Sequence, residues 1–149
     1  MHGKNPILIA EDDPTSGELV QLALERAGVT NPTHIVPNGT QVIAYLQAEG
    51  AYADRQRFPF PRLLLLDLKM PVMDGFQVLE WLGAHPDCSI IPTVIMSASS
   101  IDKDVRRAYQ MGASSYMVKP LQFEQFVKMF RILCEYWETC ALPEMPLKC

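Results

Sequence analysis

The sequence predicts an α/β protein, a doubly wound five-stranded parallel sheet covered by helices on both faces. Five short apolar runs rich in Ile, Leu and Val alternate with longer stretches whose apolar residues recur at three- and four-residue spacing. That alternation marks strands buried on both faces between amphipathic helices. The length of 149 residues suits one compact domain able to bury its own core. The domain is read as spanning 1–149, with a core over 6–138 and a short tail over 139–149.

Ile7-Leu8-Ile9-Ala10 is the first strand. Asp13 is placed to cap a helix that starts at Pro14, carries Leu19, Val20, Ala23, Leu24 and Ala27, and closes at Gly28, as capping preferences favour. His34–Val36 is the second strand, Asn38-Gly39 a turn, and Val42, Ile43 and Leu46 mark a second helix ending near Gly50. From Gly50 to Pro61, aromatic and arginine residues lie between prolines without a period, which reads as a loop, long for a compact domain. Leu63–Leu66 is the most apolar run and the best central strand, with Asp67 at its carboxyl end. A third helix follows over Gly75–Ala84, then a strand over Thr93–Met96 ending at Ser97. Next come a helix over Ile101–Met111 closed by Gly112, a strand over Ser115–Val118 ending at Lys119-Pro120, and a long helix from Phe123 to about Glu138.

Composition narrows the function. Hydrophobic residues at 48% against 20% charged residues exclude a disordered chain. A formal net charge of −4 argues against nucleic-acid binding, which needs a basic face. No apolar run reaches the roughly 18 residues of a membrane span, and Met1–Pro6 has no signal-peptide layout, so a cytoplasmic protein without membrane association is expected. Cys88, Cys134, Cys140 and Cys149 form no CxxC pair. Zinc is therefore not expected, and in a reducing cytosol all four are read as free thiols.

Ligands of such sheets sit outside the carboxyl ends of the strands. Here those ends are polar: Glu11-Asp12-Asp13, Asp67, Ser97 and Lys119. A lone acidic pair after a strand is ordinarily a solvated helix start, and a lone Lys-Pro a turn; four such ends at once are another matter. Clustered carboxylates repel unless a cation offsets them, and oxygen ligands favour Mg²⁺. Lys119 adds a fixed positive charge, completing an arrangement that stabilises a phosphoryl group on one carboxylate.

Four motifs carry a resemblance: Glu11-Asp12-Asp13; Leu65-Leu66-Asp67-Leu68-Lys69-Met70-Pro71-Val72-Met73-Asp74-Gly75; Met96-Ser97-Ala98; and Tyr116-Met117-Val118-Lys119-Pro120. In this order and spacing the chain resembles response-regulator receiver domains of the CheY type from Ile7 to Glu138. The Tyr52–Pro61 loop and the Tyr136-Trp137 ending are similar to single-domain receivers such as the cyanobacterial phytochrome response regulators. The resemblance implies a flavodoxin-like (βα)5 fold with strand order 2-1-3-4-5. It implies a two-component phosphorelay protein that takes a phosphoryl group from a sensor histidine kinase or phosphotransfer protein onto Asp67. Such a protein carries out its own Mg²⁺-dependent (or Mn²⁺-dependent) phosphotransfer and slow autodephosphorylation rather than acting as a conventional enzyme. Asp13 and Asp67 are implied as direct metal ligands with the main-chain carbonyl of Lys69, and Asp12 as acting through water. Ser97 and Lys119 are implied to hold phosphoryl oxygens, Ser97 and Tyr116 to form the switch, Gly75 to let the loop after Asp67 close, and the Lys119–Pro120 peptide to be cis.

Two rival chemistries fit less well. A haloacid-dehalogenase-type phosphatase needs a second acid two residues after the nucleophile, where this chain has Lys69. A flavin mononucleotide binder needs a hydroxyl- or glycine-rich phosphate loop after the first strand, where Glu11-Asp12-Asp13 repels phosphate. An interaction-only receiver is disfavoured by the complete set of site residues. No output domain is expected after the last helix, so the signal leaves through a surface. Met129, Ile132, Tyr136 and Trp137 suggest an apolar stripe for a homodimer on the face of the fourth predicted helix, fifth strand and last helix. Lys103, Asp104, Arg106 and Glu135 are available at its rim.

Overall fold

The computed structural model describes residues 5–149; Met1–Lys4, part of the segment that lacks a signal-peptide layout, lie outside the described residues. Five strands form one parallel sheet in the order β2-β1-β3-β4-β5: β1 Ile7–Ala10, β2 Thr33–Val36, β3 Leu63–Leu66, β4 Thr93–Ser97 and β5 Ser115–Val118. Among the described residues six α-helices accompany them: α1 Pro14–Arg26, α2 Gly39–Leu46, α3 Gly75–Gly83, α4 Pro86–Ser89, α5 Asp102–Gln110 and α6 Phe123–Thr139. The strand order is the expected one.

Side chains alternate across the sheet, so each buried strand feeds two cores. Leu8, Ala10, Leu64, Leu66 and Ile95 face α2, α3 and α5, meeting Val42, Tyr45, Leu46, Val78, Leu79, Leu82 and Ala108. Ile7, Ile9, Leu63, Leu65, Val94 and Met96 face α1 and α6, meeting Val20, Ala23, Leu24, Val127, Phe130 and Leu133. β1, β3 and β4 are buried along their whole length. Central strands without a polar face are what a sheet covered on both sides requires.

The helix ends follow local chemistry. Asp13 accepts a hydrogen bond from the Thr15 amide at 3.0 Å and caps α1. Asn38 accepts from the Gln41 amide at 3.0 Å and caps α2, so Asn38-Gly39 is a helix start rather than a free turn. Asp74 and Gln77 form a reciprocal capping box at α3. Gly28 and Gly112, at φ of 90° and 100°, close α1 and α5 in the left-handed region that glycine tolerates.

The Gly50–Pro61 stretch is the expected long loop; it opens with a 3₁₀ turn at Gly50–Tyr52 and is anchored to the core. Tyr45 is fully buried and donates to the Pro59 carbonyl at 2.9 Å. The Arg55 guanidinium donates to the carbonyls of Phe58 and Leu46 at 2.9 and 2.8 Å. Tyr52 and Phe58 pack edge to face on each other, and both lie against the Tyr45 ring. The four cysteines are not all free: Cys88 on α4 and Cys149 form a disulfide with Cα atoms 5.6 Å apart, while Cys134 and Cys140 are free thiols. The 61-residue separation hides this proximity, because it arises only when segment 140–149 folds back beside α2. There the Cys149 amide donates to the Leu46 carbonyl at 3.4 Å. No helix among the described residues is long and apolar enough to cross a membrane.

Phe130 is fully buried where α6 meets the sheet, whereas Ile132, two residues on, is 57% exposed. Phe130→Ala is expected to lower unfolding stability by about 3–5 kcal/mol, and Ile132→Ala to change it by no more than about 0.5 kcal/mol. Denaturant titration of both variants checks the pair; similar losses would contradict this assignment of the α6 faces.

Candidate functional site

The sheet register builds the site. Ala10 pairs with Leu66 across β1 and β3, so the next residues, Glu11 and Asp67, emerge side by side at the carboxyl rim. Here the chain order reverses between β1 and β3, the position where doubly wound sheets bind ligands. The Asp67 amide donates to the Ala10 carbonyl at 3.1 Å and the Glu11 amide to the Val36 carbonyl at 3.0 Å, so backbone bonds fix both residues. Both are buried. Lys119, just beyond β5, reaches across to donate to Asp67 Oδ2 at 2.8 Å and to both Glu11 carboxylate oxygens at 3.4 Å. The Lys69 amide holds the other Asp67 oxygen at 3.2 Å.

Glu11, Asp12 and Asp67 each offer a carboxylate oxygen within 4.8 Å of the other two. Three acids against one lysine leave excess negative charge. The Glu11 carboxyl is pushed up to about 8, chiefly by burial and then by its hydrogen bond with Asp67, while Lys119 pulls the other way. Burial works against the Asp67 charge, but hydrogen bonds from Glu11 and Lys119, the Lys119 charge and the Lys69 amide hold its carboxyl below the usual range. Burial likewise disfavours the Lys119 charge, and the two carboxylates more than offset it, so its ammonium is held above the usual range. Burial and the shared hydrogen bond thus favour the neutral form of Glu11, and Lys119 and the Lys69 amide favour the anion of Asp67. The carboxylate oxygens fit a divalent cation, which prefers hard oxygen donors.

Asp13 does not join this cluster. Its carboxylate faces α1, accepting from the Thr15 amide and, at 3.2 Å, from the Ser16 hydroxyl. The carboxylates that the structure brings to Asp67 are those of Glu11 and the expected Asp12, with Asp13 left at the helix start. The cause is register: the strand ends at Ala10, so the first two residues beyond it meet Asp67 and the third is left to cap the helix. Glu11, given no role of its own from sequence, is a central group, and the signal for it was the alignment of the two strand ends.

The remaining residues sit around this centre. Ser97 is buried at the end of β4; its hydroxyl accepts from the Ser99 amide at 3.1 Å and its carbonyl from the Lys119 amide at 2.8 Å. The Tyr116 hydroxyl donates to the Ser99 carbonyl at 2.7 Å, tying β5 to the loop after β4, and Ser99 in turn donates to Asp104 at 2.8 Å. Gly75 packs under the acceptor loop. A Cβ there would collide with the Asp67 carbonyl oxygen and lie 2.8 Å from Leu68 Cα. A cleft of about 500 Å³ bordered by Asp12, Lys69, Pro71 and Phe76 lies beside the cluster. The described residues contain no cis peptide bond, so Lys119–Pro120 is trans. Trans is the lower-energy form even before proline, and Lys119 reaches Asp67 with it.

Comparison with known proteins agrees with this geometry. A family model described as the response regulator receiver domain matches residues 7–131, and the chain belongs to that family. It is 33% identical to the response regulator Rcp1 of Synechocystis sp. over 138 residues, 92% of each chain. The Mn²⁺-bound structure of Rcp1 superposes with a TM-score of 0.81 at 32% identity, covering 94% of this chain and 99% of that one. The phosphorylated cyanobacterial phytochrome response regulator RcpA gives 0.85 at 30% identity, with coverage of 95% and 100%. RPA3017, a response regulator in red light signaling of R. palustris, gives 0.90 at 30% identity, with coverage of 95% and 99%. Phosphorylation-dependent signalling is the function of this family, whose members interact with histidine kinases or phosphotransfer proteins. The acidic cluster and the Mn²⁺-bound relative fit divalent-metal binding here.

A bound cation at free concentration c stabilises the folded state by RT ln(1 + c/Kd), about 2.7 kcal/mol at a hundredfold excess over Kd. Millimolar Mg²⁺ or Mn²⁺ is expected to raise the melting temperature. Asp12→Asn should remove most of that rise. Asp13→Ala should keep it while costing about 1 kcal/mol of helix capping. Melting curves of the three proteins with and without metal decide between the two acids.

Proposed function

We propose that Asp67 is the phosphoacceptor, supported chiefly by its position as a buried, anionic carboxylate held by Lys119 at 2.8 Å beside Glu11 and Asp12. One Asp67 oxygen attacks the phosphorus of a phosphohistidine. The P–O bond forms as the P–N bond breaks, and the leaving imidazole takes up a proton. The donor is a sensor histidine kinase or a phosphotransfer protein. Asp12, Asp67 and the Lys69 main-chain carbonyl, with Glu11 nearby, would hold Mg²⁺, which would supply charge neutralisation for the phosphoryl oxygens. Lys119 moves from Asp67 to a phosphoryl oxygen, and Ser97 donates to another. The group brings roughly −1.5 to −2 of new charge, enough to redirect both partners. Because Tyr116 is bonded to the Ser99 carbonyl, movement of the Ser97–Ser99 segment changes the Tyr116 contact and so the outer face. The same site hydrolyses its phosphoryl group slowly.

The output surface in this reading is the face of α5, β5 and α6, used by a symmetric homodimer. A shallow groove between β5 and α6, lined by Tyr116, Met117, Ile132 and Trp137, supports it, with Ile132 and Tyr136 exposed on α6. Residues 1–149 act as a single receiver domain. The setting we propose is the cytoplasm, where phosphohistidine is made from ATP.

Incubation with a small acyl phosphate and Mg²⁺ is expected to add one phosphoryl group to the intact mass, lost on mild base treatment, and Asp67→Asn should abolish it. Lys119→Ala should still accept the group, more slowly, without the NMR shifts at Tyr116 that follow phosphorylation of the wild type. Labelling of Asp67→Asn at the wild-type rate would defeat the assignment.

Sedimentation with and without the phosphodonor tests the surface. The wild type should dimerise, more tightly when phosphorylated, and Ile132→Glu should remain monomeric. A wild type that is monomeric in both conditions would exclude the dimer.

A further inference from the structure

The disulfide lies at the opposite end of the sheet from Asp67. Cys88 lies ahead of β4, Leu46 ends α2, and Asn5 and Arg62 flank the amino ends of β1 and β3; segment 140–149 runs past all four. We propose that Cys88 and Cys149 form a reversible thiol–disulfide latch that decides whether this segment is docked on the domain.

The non-covalent hold on the segment is slight. Residues 141–149 form no helix or strand, and five of the nine are exposed, Leu147 at 79%. The Arg55 guanidinium donates to the Leu147 carbonyl at 2.6 Å, the Cys149 amide donates to Leu46 at 3.4 Å, and Met145 packs partly against the core. Two hydrogen bonds of small net worth, the weak contact of Cys149 Sγ with the Leu46 carbonyl at 3.8 Å and four half-buried side chains, Leu142, Met145, Pro146 and Cys149, do not offset the entropy of ordering nine residues without secondary structure. The covalent bond therefore carries the docking. Its Cα separation of 5.6 Å falls within the ordinary disulfide range.

Exposure assigns the order of events. Cys88 is fully buried, whereas Cys149 is partly exposed. Cys134 is buried, and desolvation pushes its thiol up to about 11, leaving almost no thiolate to compete. A low-molecular-weight disulfide RSSR is the oxidant. The Cys149 thiolate attacks one sulfur, forming a mixed disulfide and releasing RS⁻; the Cys88 thiolate then attacks the Cys149 sulfur and releases the second RS⁻. Two electrons pass from the cysteine pair to RSSR, and the two thiol protons end on the released thiols. A small dithiol reverses the sequence, the direction a reducing compartment favours.

The test poises the full-length protein between oxidised and reduced glutathione, maps disulfides by mass spectrometry, and measures backbone ¹⁵N relaxation of residues 141–149. The oxidised protein should yield the Cys88–Cys149 linked peptide and rigid order parameters over the segment. Reduction should remove the peptide and lower the order parameters below those of a stable backbone. Cys149→Ser, a change at a partly exposed position, should behave as the reduced protein at every poise. Phosphoryl uptake at Asp67 should proceed in both states, so failure there would bear on the acceptor and not on the latch. Absence of the linked peptide at every poise, a Cys149 disulfide between two molecules instead, or equal order in both states would overturn the proposal.

Discussion

The contact between Lys119 and Asp67 organises the carboxyl rim of this protein. Parallel strands deliver their ends to one place, and here that place receives Glu11, Asp12 and Asp67. Such a concentration of acids opposes folding unless positive charge is brought to it. Lys119 does this from the far strand, spanning β3 and β4 to reach both buried carboxylates. β5 is thereby tied to the middle of the sheet by an ion pair, as well as by its ladder to β4.

One lysine is not enough for three acids, and the shortfall shows in the opposite shifts of the buried pair. Burial pushes the Glu11 carboxyl up, and Asp67 is favoured as the anion by the hydrogen bonds it receives. A divalent cation would relieve the same excess charge by coordination. The favoured anion at Asp67 and the fit of the cluster to a divalent cation thus share one electrostatic origin.

Much of this was legible in the sequence. Runs such as Leu63–Leu66 have no polar face, so only a sheet covered on both sides suits them. Polar residues placed one step beyond such runs had to gather at a common rim. The errors arose where sequence distance and local chemistry give no three-dimensional register. Glu11 and Asp13 are equally acidic, and only the pairing of Ala10 with Leu66 tells which of them faces Asp67. Asp13 had in fact announced its role, since an acid just before Pro14 is a helix cap. The proximity of Cys88 and Cys149 depends on how segment 140–149 returns beside α2, which no periodic pattern encodes. The trans Lys119–Pro120 bond departs from an expectation that came from resemblance alone.

The shortness of the strands has a mechanical consequence. Four residues of β3 span only about 13 Å, and this strut runs from Arg62 at one rim to Asp67 at the other, packed on both faces. A beam so short and so tightly clamped bends little, so freedom to move at the carboxyl rim is left to the loops. Beyond β4 and β5 those loops are stitched together by the Lys119 amide and the Tyr116 hydroxyl, so they are held as neighbours above a sheet that acts as their anvil.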